Sequence, residues 1–346
     1  MKNLMVKDTL FALKYISASI VRPESMPFLP TIIHLETTTK CNLACKICPR
    51  TSTLSQKVSK DDDRWNRNLS INQFQTILEQ FNELRYIRLH GLGEPLMNPD
   101  LSRIISIASS RGINAEFTTN ATLLTRDRAE ALIMANISEI TISIDGATKE
   151  VYEKIRKNAQ FETVIENVRA LSEIRKKLNK KKPFIRINMV VTTENINELS
   201  DVLKMAKNLG AKEFRASPIV PPHPNLKSLV PDVHLWVKVT KEARALAHQL
   251  GIGLVFSGLL IQNSNKQKTR NALYSKCKQP WLAPFIRIDG YVTPCCNTSD
   301  PHLLGDANIF SQDIRTIWNN YEFRRFRHSL KYGPLPEVCR KCPMIS

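Results

Sequence analysis

At 346 residues the chain has length for two domains at roughly 150 residues each. Its 42% hydrophobic and 24% charged content excludes a disordered, collagen-like or coiled-coil protein. No apolar run nears the ~18 residues of a membrane span, and the net charge is +18, from 50 Lys+Arg against 32 Asp+Glu.

Taken in chain order, residues 1–30 predict an amphipathic helical segment. Leu4, Leu10, Phe11, Leu13, Ile16 and Ile20 alternate with Lys2, Lys7 and Lys14, and the helix ends before Pro23. No apolar signal-peptide core follows the lysine start. Such a helix packs across the domain, with contact to a membrane surface as the lesser reading.

Residues 31–225 alternate strands and helices. Strand-like segments fall at 32–36, 86–90, 114–118, 139–144, 184–191 and 213–216, and helix-like stretches at 71–84, 99–111, 126–135 and 196–209 lie between them. The alternation predicts a parallel α/β sheet that right-handed crossovers curl toward an incomplete barrel. A basic run, Arg175 to Lys182, suits a helix C-terminus and lacks the aromatics of a base-stacking platform. Four prolines between Ser217 and Pro224 then break the pattern. Residues 226–276 predict a connector made of a helix from Asp232 to Leu250 and short Gly-rich hairpin material. Residues 277–346 form a smaller α+β unit with turn signals at Asp289-Gly290 and Gly305-Asp306 and a basic amphipathic helix near Ile314 to Leu330. Its apolar content is too low for a large core, so a metal is expected to hold it together.

The eight cysteines fall in two groups: three from Cys41 to Cys48, five from Cys277 to Cys342, and none in the 228 residues between. Two tight clusters in a large chain point to metal sites rather than a disulfide framework. Cys41, Cys45 and Cys48 follow the first strand, at the end where α/β barrels place active-site loops. Three thiolates hold three irons of a cubane and leave the fourth open, as a catalytic site requires.

With its Cys-x3-Cys-x2-Cys loop after the first strand, the chain resembles the radical S-adenosylmethionine (radical SAM) superfamily, whose fold is a partial (β/α)6 barrel. The resemblance implies a [4Fe–4S] cluster that chelates S-adenosylmethionine and cleaves it reductively, releasing a 5′-deoxyadenosyl radical that abstracts hydrogen from a substrate. Gly91-Leu-Gly93-Glu94-Pro95 resembles the segment that binds the methionine amino group. Thr118-Thr119-Asn120 resembles the family's Thr-Asn turn. Ser143, Asp145 and Arg156 stand where relatives contact the ribose and the methionine carboxylate. Two departures are visible: Ile47 stands where many members carry an aromatic, and Val191-Thr-Thr-Glu-Asn195 replaces the glycine-rich segment after the fifth strand.

The C-terminal cysteines resemble the SPASM/Twitch extension, which implies a second [4Fe–4S] cluster on Cys277, Cys295, Cys339 and Cys342, used for electron transfer. On spacing alone four thiolates also suit tetrahedral zinc. Cys296 is left over, as a buried spectator, an exchangeable ligand or a hydrogen-atom donor. The resemblance implies a cytoplasmic enzyme that oxidises, epimerises or cross-links a small molecule, sugar or peptide, with flavodoxin or ferredoxin as electron donor. Lack of an appended peptide-recognition domain leans toward the small molecule or sugar. The alternatives are a peptide-maturing enzyme of the same family and a basic, metal-bearing nucleic-acid-binding protein, although nucleic acid is not the expected partner.

Overall fold

The computed structural model describes residues 2–51, 65–221, 224–257, 277–296, 300–340 and 342. Six strands, β1 (Ile32–Leu35), β2 (Tyr86–Arg88), β3 (Asn114–Thr119), β4 (Glu139–Ser143), β5 (Phe184–Val191) and β6 (Glu213–Pro218), run parallel, and each pairs with its neighbour in the chain. All six lie where the sequence alternation predicts them.

Period-two alternation sorts their side chains into two faces. Ile33, Ile87, Phe117, Ile140, Ile142, Ile185, Ile187 and Phe214 are buried on one face. Over it pack the crossover helices α2 (Ile71–Glu79), α3 (Leu101–Ser110), α4 (Arg126–Met134), α5 (Lys149–Ile155), α6 (Phe161–Lys177) and α7 (Leu199–Asn208). Local sequence starts these helices. Ser70 and Gln73 form a capping box, while Thr125 and Thr148 cap α4 and α5 through their hydroxyls. The other face carries His34, Arg88, Glu116, Glu139, Arg186, Glu213 and Arg215.

Where a Gly-rich hairpin was expected, Gly253–Phe256 forms β7, a seventh parallel strand beside β6. Gly251, at φ +59°, is the left-handed cap of α8 (Val233–Leu250), so the glycines end a helix and admit one more strand–helix–strand step. Residues 258–276, where the rest of the expected hairpin would fall, lie outside the described residues.

The C-terminal segment shares the core of the main sheet. In it, β8 (Phe285–Ile286) pairs in parallel with β1, and β9 (Val292–Thr293) pairs antiparallel with β8. The sheet therefore reads β7-β6-β5-β4-β3-β2-β1-β8-β9, with β7 and β9 as its edges among the described residues. Short helices follow: α9 (Gln279–Leu282), α10 (Ile314–Trp318), α11 (Tyr321–Tyr332) and α12 (Glu337–Arg340). Trp281, Ile286, Ile317, Trp318 and Phe323 are buried in the same cluster as the strands' inner apolar residues. The single basic helix expected near 314–330 is split, because the Asn320 side chain accepts from Phe323 N at 2.7 Å and caps a new helix.

At the N-terminus, α1 (Lys2–Ile20) leaves Leu13, Ile16 and Ile20 exposed and buries Ala18 instead. Residues 23–28 form a strap clamped by the C-terminal segment. Asn319 bonds both the N–H and the carbonyl of Met26 at 2.7 and 2.9 Å. Trp281 Nε1 donates to Pro23 O at 2.8 Å, and Trp318 Nε1 to Phe28 O at 3.1 Å. The basic run lies at the end of α6, where Arg175, Lys176, Lys180 and Lys181 line an open cleft with Phe184 and Lys212. Phe184 begins β5, so this cleft is at the opposite end of the strands from the Cys41–Cys48 loop. No helix among the described residues is long and apolar enough to cross a membrane.

Candidate active site

The chain leaves β1 through Glu36-Thr37-Thr38-Thr39, all buried. Short hydroxyl side chains satisfy this turn locally. Thr38 Oγ1 donates to Asn68 Oδ1 at 2.7 Å and accepts from Lys40 N at 3.1 Å, while Thr39 Oγ1 accepts from Arg67 N at 3.0 Å. Cys41, Cys45 and Cys48 follow, each half-buried. Backbone bonds staple their loop to the end of α5: Ala44 N donates to Lys157 O at 3.1 Å and Lys46 N to Ile155 O at 3.0 Å. Asn42 ties it to the turn after β3, donating to Thr122 Oγ1 at 2.8 Å and accepting from Asn120 Nδ2 at 3.1 Å. Burial pushes the Cys45 thiol up to about 11 and raises Cys41 as well. Bare thiolates are disfavoured at Cys41 and Cys45, as at thiols that ionise on binding a cation.

Gly93 has no room for a side chain, since a Cβ would stand 2.2 Å from Thr38 O and 2.7 Å from Lys40 O. Glu94 is buried, and its carboxylate already has partners. It accepts from Thr119 Oγ1 at 2.6 Å, Asn120 N at 2.7 Å and Leu96 N at 3.2 Å. Burial raises its pKa, with these bonds and Arg156 opposing. Asn120 makes a turn of its own, its Oδ1 accepting from Thr122 N at 3.0 Å.

Beyond β4, Asp145 is wholly buried and binds Arg156 through Oδ2, at 2.7 Å from both Nε and Nη2, while its Oδ1 accepts from Val190 N at 2.8 Å. Arg156 is pulled by burial toward deprotonation, but Asp145 and Cys45 outweigh this and raise its pKa. Ser143 is buried at the end of β4. The sequence candidates thus converge: the thiol loop, Glu94, Asn120, Asp145 and Arg156 meet at the C-terminal ends of β1 to β4.

Several residues at this end escaped the sequence reading. Asn195, in the segment that replaces the family's glycine-rich stretch, donates to Asp145 O at 2.8 Å and Val190 O at 2.9 Å and so joins the ends of β4 and β5. Tyr152 is buried one helical turn before Arg156, and its hydroxyl has no hydrogen-bond partner among the described residues. A buried hydroxyl left so fits a site that receives a polar ligand. The charged sheet face, whose Glu139 and Glu213 begin β4 and β6 at the other end of the strands, was also missed. Arg88 Nε meets Glu116 at 2.6 Å, and Arg186 bridges Glu139 and Glu213. Alternation of polar residues along β2 to β6 was the available signal.

The second thiol group lies beside β8 and β9. Cys277, Cys339 and Cys342 are half-buried. Burial, reinforced by Cys277 and Cys342, pushes the Cys339 thiol up to about 12, so the three share one neighbourhood. Cys342 N donates to Cys339 O at 3.0 Å, closing their turn, and Cys295 follows directly on the β8–β9 hairpin. Soft sulfur donors with no carboxylate among them suit iron–sulfur or zinc and exclude hard cations.

Comparison with known proteins adds the following. Residues 35–206 match the profile of the Radical SAM superfamily, and residues 277–343 that of SPASM, an iron-sulfur cluster-binding domain. The tungsten-containing aldehyde ferredoxin oxidoreductase cofactor-modifying protein of Pyrococcus furiosus is 24% identical over 90% of this chain and 87% of its own. The PqqA peptide cyclase of Bradyrhizobium diazoefficiens is 24% identical over 91% and 79%. Among solved structures, Streptococcus suis SuiB bound to precursor peptide SuiA has the same fold, with a TM-score of 0.68 at 16% identity over 98% of this chain and 75% of that one.

Proposed function

Because the chain belongs to the radical SAM superfamily and carries a C-terminal SPASM domain, we propose that it modifies a peptide substrate by hydrogen abstraction. It is an enzyme that uses S-adenosylmethionine and [4Fe–4S] clusters. When bound, these supply the 5′-deoxyadenosyl radical that takes hydrogen from the substrate. Family membership sets aside the nucleic-acid-binding alternative.

In this reading Cys41, Cys45 and Cys48 hold the first cluster, and Cys277, Cys295, Cys339 and Cys342 the second. One observation carries the reading: the Cys41–Cys48 loop is stapled by two backbone hydrogen bonds to residues 155 and 157, on either side of Arg156. Thiols and guanidinium are thereby fixed on one wall. Asp145 orients Arg156 to meet an anionic carboxylate. Glu94, occupied by Thr119 and Asn120, ties the turn after β2 to the end of β3 and has lone-pair capacity left for an ammonium. On the charged sheet face, Arg88 at the end of β2 and its partner Glu116 offer a donor and an acceptor to a polar chain. The peptide reading replaces the leaning toward a small molecule or sugar, on similarity to a peptide cyclase over most of the chain. A reducing, cytoplasmic setting and an acidic flavodoxin- or ferredoxin-type donor complete it, in keeping with the +18 charge.

The test is anaerobic reconstitution followed by reduction with S-adenosylmethionine and peptides deuterated at Cα and Cβ. About eight irons and eight sulfides per chain, 5′-deoxyadenosine, and deuterium carried into it are expected. Zinc with little iron, or no 5′-deoxyadenosine, would overturn the reading. Deuterium transfer from a sugar instead of any peptide would refute the substrate class alone.

A further inference from the structure

Three metal-binding side chains remain outside both thiol sets. His34 is on β1, His90 lies two residues beyond β2, and Cys296 follows Cys295 after β9. Parallel pairing places His34 opposite Arg88, so His90 comes up beside it on the same face. The two imidazoles meet edge to face, with centroids 4.8 Å apart and His34 Nδ1 3.0 Å from His90 Nε2. Cys296 closes the triangle. One donor atom from each of the three residues lies within 4.8 Å of the other two, and no other such trio of His, Cys, Asp or Glu occurs among the described residues. Donors that share one ion at bonds of ~2.0–2.3 Å sit roughly 3–4 Å apart.

We propose that His34, His90 and Cys296 form a third metal site, which takes one divalent ion of the zinc class. Two imidazoles and a thiolate are a borderline donor set that suits Zn²⁺, and the lack of any carboxylate argues against Mg²⁺ or Ca²⁺. His34 is buried, His90 half-buried and Cys296 exposed, so the sheet supplies two of the donors and the C-terminal segment the third. Burial leaves both imidazoles uncharged with lone pairs to give.

Arg88 sets the terms of binding. Its Nη1 lies 3.3 Å from His34 Nε2, and its Nε is held by Glu116 at 2.6 Å. Without metal the guanidinium donates to His34 Nε2, so Nδ1 carries the ring proton and donates to His90 Nε2. With metal on Nδ1 the ring proton moves to Nε2, Arg88 keeps only Glu116, and Cys296 releases its thiol proton to solvent. The site draws Cys296 into coordination instead of leaving it as a free thiol beside a cluster ligand. It requires neither S-adenosylmethionine cleavage nor any particular substrate.

The experiment uses the full chain loaded with iron and sulfide, titrated anaerobically with Zn²⁺, freed of loose metal by a weak chelator, and analysed for zinc and iron in the same sample. Wild type is expected to keep about one zinc per chain above its iron. Cys296→Ser and His90→Gln are each expected to lose most of that zinc with iron and sulfide unchanged, iron serving as the control for folding. Zinc retained equally by the variants, or absent from wild type, overturns the site. Iron lost from Cys296→Ser would assign that thiol to the second cluster and overturn it as well.

Discussion

Replacing Asp145 by Asn removes one charge from the wall that holds the thiol loop and leaves the shape intact. The amide can still accept from Val190 N through Oδ1, now at 2.8 Å, but it turns an N–H toward the two Arg156 donors, each 2.7 Å from Oδ2. The Arg156 side chain is 12% exposed and Asp145 is not exposed at all, so the guanidinium cannot recover its hydration. Removing one partner of a buried pair costs ~3–5 kcal/mol, a large part of the ~5–15 kcal/mol that holds a folded protein together. Removing both partners relieves the unpaired charge. Asp145→Asn with Arg156→Met should therefore be more stable than Asp145→Asn alone by at least ~2 kcal/mol. Urea unfolding of cluster-free protein, followed by far-ultraviolet circular dichroism, measures both without the cofactors. If Asp145→Asn costs less than ~1 kcal/mol, or the double variant is the weaker, Arg156 is not held by this pair.

Two further outcomes follow from local geometry. Gly93→Ala should lose the iron of the first thiol set and keep that of the second, because its Cβ would meet two backbone oxygens, at 2.2 and 2.7 Å, in the turn that leads into Cys41. Iron counts unchanged from wild type would refute this. Asp289 is raised by burial, but the Arg287 pair, at 3.0 and 2.8 Å, outweighs this and holds it below the usual carboxylate range. Its stabilisation is present above the unfolded value of ~3.9 and is lost as pH falls through the folded one. Asp289→Asn should cost about 1 kcal/mol at pH 7 and flatten the acid limb of the stability profile, and an unchanged limb would refute the pair's role.

What the sequence made legible was local. Alternation marked all six barrel strands, and the Cys41-x3-Cys45-x2-Cys48 spacing marked the thiol loop, because both are written in neighbouring residues. Pairings over long separations were not legible. Phe285–Ile286 is two residues long, too short to carry a period, yet it extends the sheet beside β1. The apolar period of α10 ran unbroken into α11, and only the Asn320 side chain, bonded to Phe323 N, shows why the helix stops and restarts. Asn195 looked like one polar residue in a departed motif. Its role depends on two carbonyls, one of them fifty residues away, that only the fold brings within reach.

The short pairing of β8 with β1 also determines how the two thiol sets relate. Cys41 follows β1, and Cys277 and Cys295 flank β8 and its hairpin, so the register of His34 with Phe285 and Leu35 with Ile286 fixes one set against the other. Two residue pairs alone would hold a register weakly, since side chains repeat every second residue and a slip exchanges the faces. Glu36 supplies the missing constraint. Its backbone N donates to Ile286 O at 3.0 Å, and its buried carboxylate accepts from Ile288 N at 3.3 Å and from Leu92 N at 3.2 Å. Gly91 has no space for a side chain against that same carboxylate. One acidic residue thus joins the turn after β2, the strand before the first thiol loop and the hairpin before the second. Its pKa is raised by burial more than those two backbone donors lower it. A carboxylate kept at that cost is accounted for by the register it holds, since an apolar residue there would leave the N–H groups of Leu92 and Ile288 without an acceptor.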